Sequence, residues 1–289
     1  MKKIVLFLIT FSSLLFLLSC SDKPLELNIM SFNIRLDAAS DSLNNWQYRK
    51  DVAAQIITDY DADIVGTQEV RPNQLQDLKD RLPGYVSVGV GRDDGTNGPD
   101  SGEHSTLFYK KDRFKEHESG TFWLSETPDV PSMGWDAAYP RVATWAVLED
   151  IATGKKVFAI NTHLDHVGSE ARINGVTLML EKALDVAKGY PVILTGDFNS
   201  VPNSDVVNHV VSETTPNSLA CTRTVAKTKK EKEGTYHDFG RLSPEDQEYI
   251  DYIFVSKGTE VDLYEVIADK LNDIYLSDHN PIFAKITIR

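Results

Sequence analysis

The 289-residue chain contains little cysteine, and beyond its N-terminus it has no long apolar run. Two cysteines exclude a disulfide-rich scaffold and any zinc or iron–sulfur site built on several thiolates. The lack of repeated long apolar segments excludes a multi-span membrane protein. With 41% hydrophobic and 25% charged residues, the composition is typical of a globular protein that buries a large core.

Positive charge is also scarce. The chain has 30 Lys and Arg residues against 43 Asp and Glu residues, which gives a net charge of −13. Because proteins bind nucleic-acid phosphates mainly through Lys and Arg, this balance disfavours a long nucleic acid as a partner unless a basic patch or a metal supplies positive charge. The one dense basic run, at 227–232, is interpreted as a solvated loop, with steering of an anionic substrate as the alternative.

The N-terminus resembles a bacterial export signal. Two lysines precede an apolar run at 4–18, which is short for a membrane span. The following LLSC at 17–20 resembles a lipobox, which implies cleavage before Cys20 and lipidation of its sulfur. We therefore expect a leader at 1–19, a tether at 20–25, and a lipid-anchored protein of the cell envelope that contacts the membrane only through Cys20. Simple secretion is the alternative.

Strand and helix patterns alternate through the rest of the chain. Short segments rich in β-formers predict strands at 25–34, 63–70, 85–90, 105–110, 143–149, 156–164, 191–194, 250–255 and 281–288. Helical spacing of apolar residues predicts helices at 49–60, 74–82 and 170–188. The aromatic, Pro-containing segment 122–136 predicts a loop in which Trp123 and Trp135 either pack or line a substrate cleft. Since no linker or repeat interrupts these patterns, they predict one layered α+β domain over 26–289.

Polar side chains cluster where the predicted strands end. They are Asn, Asp, Glu and His residues only: Asn33, Glu69, His163, Asp197, Asn199, Asp251, Asp278 and His279. If these strand ends converge, they form a site of oxygen ligands beside two imidazoles. Mg²⁺ prefers oxygen ligands, whereas Zn²⁺ would prefer more His or Cys. The oxygen ligands therefore predict a Mg²⁺ site, with Mn²⁺ as an alternative. The two imidazoles next to this metal would supply an acid and a base near neutral pH.

The order of the motifs resembles the endonuclease/exonuclease/phosphatase superfamily. In chain order the motifs are SFNIR (31–35), TQEV (67–70), GEHSTLFY (102–109), PRVATW (140–145), NTHLDH (161–166), GDFN (196–199), IDYIFVS (250–256) and SDHNP (277–281). The resemblance covers 25–289. It implies a four-layer α/β sandwich similar to that of deoxyribonuclease, in which two packed mixed β-sheets are flanked by helices and the active site lies at one end.

The resemblance also implies roles for individual residues, first around the metal. Glu69 matches the main Mg²⁺ ligand, and Asn33 and Asp278 complete the metal neighbourhood. His279 matches an imidazole that acts as general base or orients the phosphate. Asp251 matches the carboxylate that hydrogen-bonds this imidazole, an arrangement that would fix its tautomer.

Further matching residues are expected to contact the phosphate and the attacking water. Asp197 and Asn199, two positions apart, match the pair that positions the water and the phosphate oxygens. His163 matches a second imidazole next to the phosphate, with Glu103 as its expected partner. Arg141 stands where related nucleases place an arginine on the scissile phosphate, and a guanidinium suits that role.

Together these implied roles describe in-line attack of water on phosphorus. The favoured substrate is a small phosphorylated molecule such as a sugar phosphate, an inositol phosphate or a headgroup, and no protein partner is predicted. An exported nuclease and a sphingomyelinase-like lipid phosphodiesterase are alternatives. A catalytically inactive binding protein is a further alternative, which the intact set of site residues disfavours. Because apurinic endonucleases have Tyr at the position of His163, abasic-site repair is also disfavoured.

Overall fold

The computed structural model describes residues 23–289. The predicted leader and the predicted lipidation at Cys20 lie outside these residues. Within the described part, no helix combines the length and the apolar character that crossing a membrane requires.

The described residues form strands β1–β15 and α-helices α1–α5. In chain order the strands are Leu25–Asn33, Ile64–Val70, Tyr85–Val88, His104–Lys110, Phe114–Trp123, Val142–Asp150, Lys156–His163, Val192–Asp197, Leu219–Cys221, Thr228–Lys230, Asp251–Ser256, Glu260–Val266, Lys270–Leu271, Ile274–Tyr275 and Ile282–Ile288. The α-helices are Trp46–Asp59, Pro72–Arg81, Ser169–Ala187, Asp205–Val211 and Thr222–Val225. Short 3₁₀ turns occupy Ala39–Asn44, Asp238–Gly240 and Pro244–Asp246.

Two mixed sheets contain most of these strands. One sheet has the order β10-β12-β15-β1-β2-β4-β3, and the other has the order β5-β6-β7-β8-β11-β9. The pairs β1/β2 and β7/β8 are parallel, whereas β15 runs antiparallel to β1 and β11 runs antiparallel to β8. The pair β10/β12 is also parallel, and these three parallel pairs in otherwise antiparallel sheets make both sheets mixed.

The alternation of side chains along the strands produces three apolar layers. Ile29 of β1 and Ile193 of β8 belong to the core between the two sheets. The neighbouring Met30 packs with α1 and α2 on the outer face of one sheet. Leu194 packs with α3 and α4 on the outer face of the other. This is the predicted four-layer sandwich of two sheets flanked by helices, and the fold prediction is confirmed.

The sequence patterns missed two long strands, the short strands β9, β10, β13 and β14, and the helices α4 and α5. Strand β5 was not predicted because its middle residues, KEHES at 115–119, are exposed and polar on an edge strand. Strand β12 and helix α4 were also missed. The segment 122–136 is not entirely a loop, since Trp123 ends β5, is buried, and donates its indole N–H to the carbonyl of Arg92 at 2.6 Å. Neither Trp123 nor Trp135 lines the cleft at the strand ends, which favours packing for both.

A polar connection holds the two sheets together beneath the strand ends. Asn161 of β7 donates from Nδ2 to the carbonyls of Thr67 and Thr106 in the opposite sheet, at 2.9 and 3.1 Å. Its Oδ1 accepts from Gln68 at 2.7 Å and from the Thr195 hydroxyl at 3.0 Å. Every polar atom of the buried Asn161 amide is therefore used, as burial of a polar group requires.

The close approach of the sheets explains a glycine and gives a stability prediction. A Cβ on Gly66 of β2 would collide with Thr195 Oγ1 and Asn161 Oδ1. We expect Gly66→Ala to lower the free energy of unfolding by about 1–3 kcal/mol through overpacking. At Gly84 a Cβ would meet nothing within 4 Å, so Gly84→Ala is the matched control and is expected to be neutral or slightly stabilising. Urea unfolding measures both, and equal effects of the two substitutions would contradict the packing argument.

Candidate active site

The strand directions bring the polar strand ends to one end of the sandwich. The parallel strands β1 and β2 finish at this end, and so do β7 and β8. The antiparallel strands β11 and β15 begin there, which sets Asp251 directly opposite Asp197. A cleft of about 620 Å³ opens at this point. Its walls contain eight of the predicted site residues: Glu69, Glu103, Arg141, His163, Asp197, Asn199, Asp278 and His279.

Glu69 reaches the cleft because its strand is distorted. The pairing of β2 with β4 shifts register between Thr67 and Val70, and Glu69 has a positive φ of 61°. Such irregularities redirect side chains next to active sites. The carboxylate accepts hydrogen bonds at 3.0 Å from Asn33 Nδ2 and from the backbone N–H of Leu36. Burial opposes ionisation, but the charge of His279 and these hydrogen bonds lower the pKa of Glu69.

Asn33 links the two halves of the carboxylate cluster. In addition to its bond to Glu69, its Nδ2 donates to Asp197 Oδ2 at 2.9 Å. Its Oδ1 accepts the backbone N–H of Arg35 at 3.0 Å. The amide therefore turns its nitrogen toward the carboxylates, and the oxygen that the predicted metal ligation needs faces the other way. A ligand role for Asn33 requires the amide to be reversed, an orientation that depends on the surrounding hydrogen bonds.

His279 is held between two buried carboxylates. Its Nδ1 donates to Asp251 Oδ2 at 2.9 Å, and its Nε2 lies 3.9 Å from Asp197 Oδ2. Burial would lower the pKa of His279, but the charge and hydrogen bond of Asp251 outweigh it and raise that pKa to about 10. Burial and the neighbouring charge of Asp251 raise the pKa of Asp197 to about 7. The geometry therefore gives the cleft a cationic imidazole and a carboxyl group that titrates near neutrality.

His163 lies on the other side of Asp197 and is neutral. Its Nε2 lies 3.1 Å from Asn199 Nδ2 and 3.6 Å from Asp197 Oδ2. Asn199 Nδ2 also donates to the Leu164 carbonyl at 2.9 Å. Burial, followed by the charges of Arg141 and Arg92, lowers the pKa of His163 well below its usual value. Because an amide nitrogen can only donate, Nε2 of the neutral ring accepts from Asn199 and the ring proton lies on Nδ1.

The expected pairing of Glu103 with His163 was wrong. Glu103 Oε2 instead accepts a hydrogen bond at 2.9 Å from Arg92, which belongs to the turn after β3. A permanently charged, largely buried guanidinium is a stronger partner for a carboxylate than a neutral imidazole. His163 Nδ1 has no hydrogen-bond partner among residues 23–289. Glu103 thus neutralises Arg92 beside the cleft.

Arg141 presents a buried donor that the protein does not satisfy. Its Nε donates to Asp165 at 3.2 Å, and its Nη2 lies 3.1 Å from His166 Nδ1. Its Nη1 is buried without a hydrogen-bond partner in the described part of the chain. Asp165 is itself fixed by backbone N–H groups, including those of Val167 and Gly168 at 2.9 and 2.8 Å. An oriented guanidinium with a free donor in a cleft is suited to binding an anion such as a phosphate.

Comparison with known proteins agrees with this site. Residues 30–279 match the Endonuclease/Exonuclease/phosphatase family over most of the chain. The chain belongs to the endonuclease/exonuclease/phosphatase family. It is therefore a phosphoesterase of that family, and the family resemblance of its motifs is confirmed.

Solved bacterial structures of this family resemble the protein closely. An endonuclease/exonuclease/phosphatase from Bacteroides vulgatus is 44% identical, with a TM-score of 0.87 and coverage of 92% of this chain and 100% of the other. The mannosyl-6-phosphatase of Bacteroides thetaiotaomicron is 39% identical, with a TM-score of 0.82 and coverage of 90% of this chain and 99% of the other.

Among sequence relatives, a probable CCR4-Not 3'-5'-exoribonuclease subunit of Vairimorpha ceranae is 25% identical over 75% of this chain. The match covers 51% of the length of that relative.

The residues fit the metal that the family implies. Asp197, Asp251 and His279 offer three ligand atoms within 4.8 Å of one another, but His279 Nδ1 and Asp251 Oδ2 are already bonded to each other. Only Asp251 Oδ1 lacks a hydrogen-bond partner among the described residues. Glu69 and Asp278 add two more buried carboxylates. Oxygen donors in this number suit Mg²⁺ or Mn²⁺. Because buried carboxylates repel one another, a cation in their midst would also stabilise the folded protein.

Some residues of the site were not singled out as site residues from the sequence. Arg35, the last residue of the SFNIR motif, lies within 4 Å of three carboxylates, those of Asp41, Glu69 and Asp278. Its place in a matching motif was the available signal. Tyr236 places its ring 5.0 Å from that of His279, and no motif contains it. It lies in a long irregular segment whose path only the fold determines.

The free donor of Arg141 gives a prediction about anion binding. Lysine has a single side-chain nitrogen and cannot both replace the bond of Arg141 Nε to Asp165 and provide a second, fixed donor. We therefore expect Arg141→Lys to raise the dissociation constant of inorganic phosphate by about tenfold or more. Isothermal titration calorimetry in the presence of Mg²⁺ measures this constant. The exposed Arg241, which pairs only locally with Asp238, supplies the matched control Arg241→Lys, expected to bind normally. Equal affinities of the Arg141→Lys variant and the unaltered protein would exclude Arg141 from anion binding.

Proposed function

We propose that the protein is a Mg²⁺-dependent phosphomonoesterase that removes the phosphate from a phosphorylated sugar. The observation that carries the proposal is the cleft itself, whose walls contain both a cluster of carboxylates and Arg141, a guanidinium with an unsatisfied donor. The first feature suits a divalent metal and the second suits a phosphate. The 39% identity to a mannosyl-6-phosphatase, over nearly the full length of both chains, supports a sugar as the phosphorylated group.

In this proposal, the protein side chains divide the work around the phosphate. Arg141 binds the phosphoryl oxygens, and the neutral His163, held in place by Asn199, lies in the wall of the same cleft. Asp197, which lies between the two imidazoles, takes the proton of the attacking water as the general base. The cationic His279, oriented by Asp251, stabilises the negative charge that develops on the phosphoryl oxygens.

Glu69 and Asp278 are the proposed metal-holding residues, joined by Asn33 if its amide is reversed. These groups offer oxygen ligands only, whereas the Nδ1 of His279 is already committed to Asp251. A bound Mg²⁺ would supply positive charge to a phosphoryl oxygen. Arg35 lies 3.6–3.8 Å from the same carboxylates, beyond hydrogen-bonding distance, so it does not satisfy them as a bound cation would.

The function can be tested with two chromogenic esters and the domain without residues 1–20. We expect Mg²⁺-dependent hydrolysis of p-nitrophenyl phosphate that EDTA abolishes, and slower or no hydrolysis of bis(p-nitrophenyl) phosphate. The His279→Ala variant should lose at least about 100-fold in turnover, because a catalytic imidazole is removed. Its circular dichroism spectrum, recorded with Mg²⁺, checks that the variant is folded. Diester cleavage alone would instead favour a nuclease or lipid phosphodiesterase.

We also propose that a lipid on Cys20 anchors the protein in the cell envelope. Strand β1 begins at Leu25, five positions after this cysteine in the sequence, and ends at Asn33, which donates a hydrogen bond to Glu69 in the wall of the cleft. Since a strand rises about 3.3 Å per residue, the nine residues of β1 separate the anchored end from the cleft by roughly 30 Å. The anchor would thus leave the cleft open to soluble substrates.

Membrane fractionation tests the anchor. We expect the full chain to sediment with membranes and Cys20→Ala to move to the soluble fraction, because a lipid chain on the cysteine sulfur supplies the membrane affinity. Ser21→Ala is the adjacent control and should remain with the membranes. Sedimentation of the Cys20→Ala protein with membranes would exclude the lipid anchor.

A further inference from the structure

A second cleft adjoins the one that contains the site residues. It measures about 700 Å³, which is within the roughly 300–1,000 Å³ of typical small-molecule sites. Four residues belong to the walls of both clefts: His166, Asn199, Glu248 and Ile250. Because Asn199 contacts the His163 imidazole, the second cleft starts directly beside the groups that would bind the phosphate. A substrate larger than one phosphorylated group would therefore extend into it.

The chemistry of the second cleft differs from that of the first. Its charged side chains are the acidic Glu170, Asp205 and Glu248 and a single base, Arg172, whose Nη1 is engaged by the Asp165 carbonyl at 2.9 Å. A chain of further phosphates would need several free Lys or Arg side chains here. Carboxylates instead accept hydrogen bonds from neutral hydroxyl groups. The lining therefore favours a neutral, hydroxyl-rich ligand over a polynucleotide.

The border between the clefts carries an aromatic surface. The rings of Tyr139 and His166 are stacked, with centroids 5.9 Å apart and an angle of 18° between their planes. The guanidinium of Arg92 packs over the Tyr139 ring at 5.1 Å, and Tyr139 is still about half exposed (51%). Flat, partly exposed rings beside hydrogen-bonding carboxylates provide both the apolar and the polar contacts that the two faces of a sugar ring offer.

We propose that the second cleft binds the sugar units that follow the phosphorylated one, so that the substrate is a phosphorylated oligosaccharide rather than a free sugar phosphate. The inference rests on the proposed phosphomonoesterase function and deepens it. The reaction is unchanged: water attacks phosphorus and gives a proton to Asp197, and the phosphorus–oxygen bond to the sugar breaks. The departing sugar oxygen takes up a proton, so the products are inorganic phosphate and a sugar hydroxyl. The second cleft contributes binding energy away from the reacting bond, which raises kcat/KM for the longer substrate.

The test compares two phosphomonoesters that differ only in length. They are mannose 6-phosphate and a mannotriose that carries a 6-phosphate on its non-reducing terminal mannose. We expect kcat/KM to be at least about tenfold higher for the trisaccharide, the gain that a few additional hydrogen bonds supply. Phosphate-free mannotriose should inhibit hydrolysis of p-nitrophenyl phosphate competitively. This second measurement needs no variant protein.

A bulky substitution then locates the effect. Asp205 lies in the wall of the second cleft only, is exposed, and begins α4. Asp205→Trp should fill the cleft and reduce the trisaccharide-to-monosaccharide ratio of kcat/KM to about one. Asp185→Trp, at an exposed aspartate of α3 outside both clefts, is the matched control and should keep the ratio of the unaltered protein. Hydrolysis of p-nitrophenyl phosphate checks that each variant is folded.

The outcomes separate the two proposals. Hydrolysis of both sugar phosphates at equal kcat/KM, or a preference that Asp205→Trp leaves intact, would overturn the second cleft as an oligosaccharide subsite while leaving the phosphomonoesterase function standing. Failure to hydrolyse either sugar phosphate, together with cleavage of bis(p-nitrophenyl) phosphate, would instead contradict the proposed function itself. A tenfold preference that is lost only in Asp205→Trp would support both.

Discussion

The electrostatic constraint on this protein is the burial of four carboxylates at one end of the sandwich. Glu69, Asp197, Asp251 and Asp278 are each less than a tenth exposed. Charges of one sign in such a setting are costly unless they are protonated, paired or bound to a cation. The protein meets this demand in part with His279, whose imidazole lies between two of the carboxylates. The remaining negative charge is what makes the cleft suited to a divalent metal.

The rest of the fold delivers these side chains to the same place. Parallel pairing makes β1 and β2 end together and β7 and β8 end together, while the antiparallel partners begin at that edge. The buried amide of Asn161 then ties one sheet to the other just below the cleft. Gly66 keeps the space that this connection needs. The geometry of the site therefore depends on how the sheets pack, because a shift of one sheet relative to the other would break the hydrogen bond between Asn33 and Asp197.

Sequence reasoning predicted the fold through motif order, and it named residues that the structure gathers into one cleft. It succeeded there because residue types such as Glu69 and His279 follow apolar strands whose ends must converge. It failed where a contact depends on the path of a loop. Arg92 lies in a turn, and only the folded chain shows that Glu103 accepts its hydrogen bond from Arg92 and not from His163. Hydrogen bonds to residues around it set the orientation of the Asn33 amide, and pairing with β6 forms the edge strand β5. Neither could be predicted from the local sequence pattern.

The account depends most on where the metal binds. Crystals grown with Mn²⁺ and measured at its absorption edge would show the ion directly as an anomalous peak. The account predicts one peak at coordination distance from the Glu69 carboxylate, on the side of the cleft shared with Asp278, leaving Asp197 and His279 free for proton transfer and phosphate stabilisation. A peak bound by Asp197, Asp251 and His279 without Glu69, or no peak in the cleft at all, would contradict it.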